Sequence, residues 1–356
     1  MPLTKNVAAV LHGKNDLRLE ERPIPKPKSN EALLQMECIG ICGSDVHFWV
    51  HGSIGTYIVE KPMIIGHEAS GIVIEVGSEV KHLKKGDRVA IEPGVPCRIC
   101  NFCKEGNYNV CNDMIFCACP PCDGNLVRYY CQAADFLYKL PDHVSLEEGA
   151  LLEPFSVAVH ACKKGGVTAD SVVLIMGAGP VGLCTVIATR AYGATKIIVV
   201  DLVEFRLQQA LSFGADYILK INPTDSEREI IKRILEVLGE EPNISIDCTG
   251  LESCVRICML AAKKKGVMVE VGMGKPEMNL PLFEAQCKEV DIRSCFRYCN
   301  DYPTALALVS SGKANIKPLI THHYRLEDSV QAFQVSKTGV GNAIKVMIHA
   351  NPNWKP

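Results

Sequence analysis

The feature that most constrains this chain is the junction "SVVLIMGAGPVG", where the apolar run ending at Met176 gives way at once to Gly177, Gly179 and Gly182. An apolar run, then G-x-G-x-x-G, then a helix-forming stretch reads as strand, tight turn and helix N-terminus. That arrangement cradles a pyrophosphate. The next apolar run, "TKIIVVD", ends on Asp201, where a carboxylate can accept hydrogen bonds from an adenosine ribose. A 2′-phosphate would be repelled there, which favours NAD over NADP. Arg206, just beyond, complicates that reading because it could pair with such a phosphate or simply lie along the ribose or in solvent.

The rhythm around the junction extends it into a fold. "SVVLIMG", "TKIIVVD", "DYILKI", "NISIDCTG", "GVMVEVG" and "VDIRSCF" are short apolar runs, with helical patterns between the earlier ones at residues 182–192 and 227–238. Alternating strand and helix predicts an α/β, doubly wound parallel sheet covered on both faces. Up to about residue 150 the pattern differs. "NVAAVLH", "EALLQMECIG", "GIVIEVG" and "DRVAIEPG" are strands punctuated by turn residues, which predicts a compact β-rich domain. After Phe296, "DYPTALALVSSGK", "RLEDSVQAFQVSK" and "AIKVMIH" leave the doubly wound rhythm, which suggests a return to the first domain. A length of 356 residues fits two domains better than one core.

A formal charge of -2, with no like-charge block longer than the lysines at 263–265, provides no field to hold nucleic acid or an anionic membrane. No apolar stretch approaches the roughly 18 residues needed to span a bilayer, and the first residues lack the apolar segment of a signal peptide. The expected compartment is therefore the cytoplasm. Thiols stay reduced there, so the 18 cysteines are read as metal ligands, buried small residues or reactive thiols before disulfides. Cys184, Cys248 and Cys258 lie in apolar segments and are expected in the core.

Four of the others, Cys97, Cys100, Cys103 and Cys111, follow the spacing C-x2-C-x2-C-x7-C on a polar loop, the pattern of a closed tetrahedral zinc site. The neighbouring "CACPPC" offers Cys117, Cys119 and Cys122, but Pro120 and Pro121 stiffen the turn and no fourth ligand is evident, so these three are read as non-ligands. A second set is more dispersed: Cys42 in "GICGSDVHF", with His67 and Glu68 in "IIGHEASG". A thiolate, an imidazole and a carboxylate would leave one position open, as a catalytic zinc requires. On spacing alone, a cysteine and a histidine so far apart are more often core residues than ligands.

In order along essentially the whole chain, "GICGSDVH", "KPMIIGHEASG", "VKHLKKGDRVAIEPG", "DGNLVRYY", "YKLPDHVSLEEGALLEPFSVAVHA", "GAGPVG", "DCTG" and "FRYCN" resemble the zinc-dependent medium-chain dehydrogenases, and within them the sorbitol (polyol) dehydrogenases. The resemblance implies a GroES-like catalytic domain over residues 1–157, a Rossmann domain over 158–296 and a return to the catalytic domain over 297–356. It also implies a homotetramer with two zincs per subunit. Cys42, His67 and Glu68 match the catalytic zinc ligands, and Cys97, Cys100, Cys103 and Cys111 the structural zinc ligands. Glu153 matches the acid beside the metal-bound water and substrate, and Ser44 the hydroxyl that bonds the reacting alcohol; His47 would support the loop or relay protons.

Arg297 and Tyr298 match substrate contacts, and NAD contacts fall on Gly177, Gly179, Val181, Gly182, Asp201, Arg206, Val271, Gly272, Met273, Cys295, Phe296 and Arg297. Two positions depart from the pattern: Phe48 at the substrate replaces the tyrosine of many relatives, and Cys119 a threonine near the pocket. Losing a hydroxyl donor to a polyol costs about 0.5 to 1.5 kcal/mol, enough to move preference but not reaction type. The implied activity is reversible, NAD-dependent oxidation of sorbitol and related polyols such as xylitol at C2 to the ketose (fructose from sorbitol), hydride leaving the metal-activated alcohol for NAD. The alternatives are a threonine, butanediol or arabinitol dehydrogenase, or a non-catalytic relative that binds NAD and zinc. The last would be expected to lose a ligand, yet Cys42, His67, Glu68 and Glu153 are all present.

Overall fold

A computed structural model describes residues 5–355, in two compact units: residues 5–153 with 317–355, and Pro154–Ile316. No helix among the described residues is long and apolar enough to cross a membrane.

The first unit is organised by Glu31–Gly40, a strand with apolar residues on both faces and therefore suited to the middle of a sheet. It pairs antiparallel with Glu68–Val76 on one side, Gly40 opposite Glu68, and with Lys345–His349 on the other, Gly40 opposite Met347 and Cys38 opposite His349. Tyr129–Ala133 also pairs with its first half, and Ile320–Arg325 lies parallel to Lys345–His349 to complete that edge. The return of the chain thus contributes two strands to the first sheet. Leu34, Met36, Ile39, Trp49, Phe333 and Ile348 pack the core beneath it. Immediately after the central strand comes the helix Gly43–His51, and that short step fixes where Cys42 stands.

The second unit is a six-stranded parallel sheet. Its strands in chain order are Val172–Met176, Lys196–Asp201, Tyr217–Lys220, Ile244–Asp247, Val267–Glu270 and Asp291–Ser294, and across the sheet they lie 3-2-1-4-5-6. Each run anticipated as a strand in this region is one. In this order the chain's progress across the sheet reverses beside the first strand, where doubly wound folds bind dinucleotides. The helix that follows it is Pro180–Ala191, with proline at its first position, where a missing N–H costs nothing.

The junctions between units fall at 153/154 and 316/317, where the sequence suggested 157/158 and 296/297. The first lies at Pro154, inside the helix Leu146–Gly165. The second is later because residues 297–316 are bound into the second unit. The buried Asp301 carboxylate meets His160 Nδ1 at 2.8 Å and Lys163 Nζ at 2.6 Å, and the helix Tyr302–Ser310 follows directly. Burial alone would push the Asp301 carboxyl up, but these partners outweigh it and hold it below the usual carboxylate value.

Candidate metal centres and dinucleotide turn

Donor atoms of Cys42, His67 and Glu68 lie within 4.8 Å of one another. Strand register does this. Glu68 opens its strand opposite Gly40, and Cys42 follows Gly40 at the N-terminus of the next helix. A Cβ at Gly40 would stand 2.2 Å from Glu68 Oε2, so only glycine leaves room for that carboxylate.

Asp45, 1% exposed, ties the cluster together. Its Oδ2 accepts the Cys42 backbone N–H at 3.1 Å, and its Oδ1 accepts the Gly66 N–H at 3.1 Å and stands 3.3 Å from His67 Nδ1. A carboxylate on Nδ1 fixes the imidazole and leaves Nε2 for a metal. Burial disfavours the charged His67 ring, but Asp45 and Cys42 beside it outweigh burial and raise it well above the ordinary histidine value. On the far side, Lys345 Nζ sits 2.7 Å from both Glu68 oxygens and donates to the Ile41 carbonyl at 3.1 Å.

Neither Asp45 nor Lys345 was among the residues singled out from the sequence. Asp45 carried a faint signal, an acid three residues past the residue that caps a helix. Lys345 carried none, since only pairing of the last strand beside Gly40 brings it to Glu68.

Of the other residues expected at the site, Ser44 is half-buried in the first turn of the helix Gly43–His51 and Glu153 is buried on the helix Leu146–Gly165. Phe48 packs into the apolar core. His47 is exposed, its ring 5.2 Å from that of His51.

The four-cysteine loop is already folded around a point. Sulfur separations are 3.4 Å for Cys100–Cys103 and 3.9 Å for Cys97–Cys103 and Cys100–Cys111. A tetrahedron with zinc–sulfur bonds near 2.3 Å has edges of about 3.8 Å, so the donor set fits zinc. Backbone N–H groups of Ile99 and Cys100 point at Cys97 Sγ and draw its thiol down to about 7. In "CACPPC", by contrast, Cys117 is buried 3.1 Å from the Tyr130 hydroxyl, and burial pushes it up to about 11. Among the described residues none of Cys117, Cys119 and Cys122 belongs to a group of metal donors.

In the glycine turn, Gly177 has φ of +94°, and a Cβ on Gly182 would stand 1.9 Å from the Gly177 carbonyl oxygen. At Gly179 nothing lies within 4 Å of a Cβ position, leaving open space at the helix N-terminus. Val181 is half-buried in the first turn of that helix. Asp201 accepts the Ala178 N–H at 2.6 Å and the Val203 N–H at 2.8 Å. It therefore braces the turn as well as offering its remaining lone pairs to a ribose.

Arg206 lies half-buried in the first turn of the helix Glu204–Ser212. Val271 and Gly272 both donate to the Asp247 carbonyl, at 2.9 and 3.0 Å, while the Met273 side chain is exposed. Cys295 continues the last strand through a 2.8 Å bond to Glu270. Arg297, at φ of +54°, stacks its guanidinium 4.7 Å from the Phe296 ring, and Tyr298 is buried edge-on against Tyr302.

A β-rich unit with two zinc-type donor sets and a doubly wound sheet with a pyrophosphate turn define, in one chain, a metal-dependent oxidoreductase. Residues 28–142 match the alcohol dehydrogenase GroES-like domain and residues 180–311 the zinc-binding dehydrogenase family. The chain belongs to the zinc-binding, medium-chain dehydrogenases. It is 50% identical to sorbitol dehydrogenase of Bos taurus over 98% of this chain and 97% of the bovine one. Among solved structures it is similar to an Escherichia coli oxidoreductase of unknown specificity, with 36% identity, TM-score 0.91 and coverage of 97% and 99% of the two chains. It is also similar to Escherichia coli L-idonate 5-dehydrogenase, with 30% identity, TM-score 0.89 and coverage of 98% and 99%.

Proposed function

We propose that this protein is an NAD-dependent polyol dehydrogenase that reversibly oxidises sorbitol, and related polyols such as xylitol, at C2 to the ketose. The observation that carries the reading is the Cys42–His67–Glu68 set, a mixed three-donor site with His67 and Glu68 buried and Cys42 half-buried, in a chain half identical to a sorbitol dehydrogenase. The chemistry zinc supplies at such a set is Lewis-acid polarisation of an alcohol oxygen, which makes its proton removable near neutral pH. Asp45 orients His67 for that role, and Lys345 balances the charge of Glu68. Ser44 and Glu153 would accept the alcohol proton and pass it outward, and a nicotinamide held at the glycine turn would supply the hydride acceptor for C2.

Asp201 supports NAD over NADP, since its carboxylate would repel a 2′-phosphate. The four-cysteine loop supports a second, structural zinc, giving two tightly held zincs per chain, and the family resemblance supports a cytoplasmic homotetramer. The assignment of Arg297 and Tyr298 to the polyol rests on that resemblance as well. The test is a substrate panel on purified protein: NADH should form from sorbitol and xylitol, with far slower turnover on NADP. No NADH from sorbitol, xylitol or ribitol would overturn the polyol reading, and turnover confined to butanediol or threonine would reassign the substrate.

A further inference from the structure

One cluster of donors in the first unit belongs to neither zinc set. Glu147 lies in the first turn of the helix Leu146–Gly165, and His323 and His349 lie on the adjacent parallel strands Ile320–Arg325 and Lys345–His349. His349 pairs with Arg325, two residues beyond His323, so the two imidazoles project from the same face of the sheet. Three atoms converge there. His323 Nδ1 is 2.9 Å from His349 Nε2, and Glu147 Oε1 is 3.7 Å from the first and 3.9 Å from the second.

A circle through three points with separations of 2.9, 3.7 and 3.9 Å has a radius of about 2.1 Å. Zinc binds histidine nitrogen and carboxylate oxygen at about that distance. We propose that Glu147, His323 and His349 form a third metal site, selective for a divalent transition ion of zinc's class, with its remaining position open to solvent.

The surroundings support the assignment. Lys317 Nζ engages the other Glu147 oxygen at 3.1 Å and leaves Oε1 turned toward the rings. His349 Nδ1 faces Cys38 Sγ at 3.7 Å, an outer partner that fixes which ring nitrogen points at the ion. Trp354 lies flat on the His349 ring, 3.8 Å away and 5° from parallel, and holds its plane. His349 is 3% exposed and His323 37%, so the cluster is anchored on one side and accessible on the other. Burial, reinforced by His323, pushes the His349 imidazole down to about 4, so at neutral pH it carries a lone pair for a ligand bond. A bound ion would tie a helix start to two strands that come from far later in the chain.

The test is zinc uptake by the purified protein beyond its tightly held content, read by elemental analysis after exchange into buffer with a small excess of zinc chloride, alongside thermal midpoints. Wild type should take up one further equivalent and rise in midpoint. His323→Asn and Glu147→Gln, both at partly exposed positions, should take up none and show no rise, while His322→Asn should behave as wild type. Equal uptake by wild type and both site variants, no uptake by wild type, or equal loss in His322→Asn would overturn the site. Because the readout is metal content, the result is independent of which polyol the enzyme oxidises.

Discussion

The cysteine loop draws its four donors from one stretch, Cys97 to Cys111, with local backbone N–H groups turned toward the sulfurs. The Cys42–His67–Glu68 set draws three donors from two segments, and its two supporting charges come from Asp45 and from Lys345 on the last strand. A loop that closes on itself needs only its own spacing to define a site. A set assembled across a sheet needs the register of three strands, an acid to hold two backbones and a ring, and a glycine where a methyl would collide. The first arrangement suits a site that does no chemistry, and the second a site whose donors must be tuned and partly open.

The comparison is tested most severely at Lys345. Lys345→Met leaves the buried Glu68 carboxylate without its counter-charge and should lower the unfolding free energy of metal-free protein by about 3–5 kcal/mol. The measurement is the denaturant midpoint; a loss below about 1 kcal/mol would mean that Glu68 is balanced by something other than this lysine. In the metal-loaded variant the four-cysteine site should still hold its zinc.

A smaller effect is expected at Asp45. Asp45→Asn keeps the shape but weakens the grip on His67, and should cost about 10- to 100-fold in metal affinity or kcat/KM, as loss of an outer partner does elsewhere. Zinc content should fall by at most one equivalent, with the cysteine loop unaffected. Loss of both zincs would show that the two sites are not independent.

Asp301, in the second unit and outside the groups of metal donors, supplies the reference. Its carboxyl is held below the ordinary value, so its stabilising contribution is complete above about pH 4 and is lost as pH falls through the lower folded-state value. Lys163 is partly exposed, so Asp301→Asn should cost only about 1 kcal/mol at pH 7. The gap in thermal midpoint between variant and wild type should stay constant from pH 8 to about 5 and close below about pH 4. A gap that widened toward acid pH would contradict the assignment.

Much of this was legible in the chain. Each expected strand of the parallel sheet is present, because runs such as "SVVLIM" and "TKIIVV" are apolar throughout and bounded by turns. The glycine turn was legible because positive φ and close backbone approach leave few residue choices. The later junction was not: nothing in "FRYCND" announces that Asp301 will be claimed by His160 and Lys163. The doubt over Cys42 had the same origin, since spacing carries no information about which strands will lie side by side.

By itself, then, the sequence determined what is local: the alternation of strand and helix, the pyrophosphate turn and the four-cysteine loop, each decided by sterics and spacing within a few residues. Tertiary structure decided what is distant. It placed Glu68 against Gly40 and Lys345 against Glu68, and it brought His323 and His349 to Glu147. Those juxtapositions depend on strand register and on the burial of charge against charge, neither of which any short stretch of the chain contains.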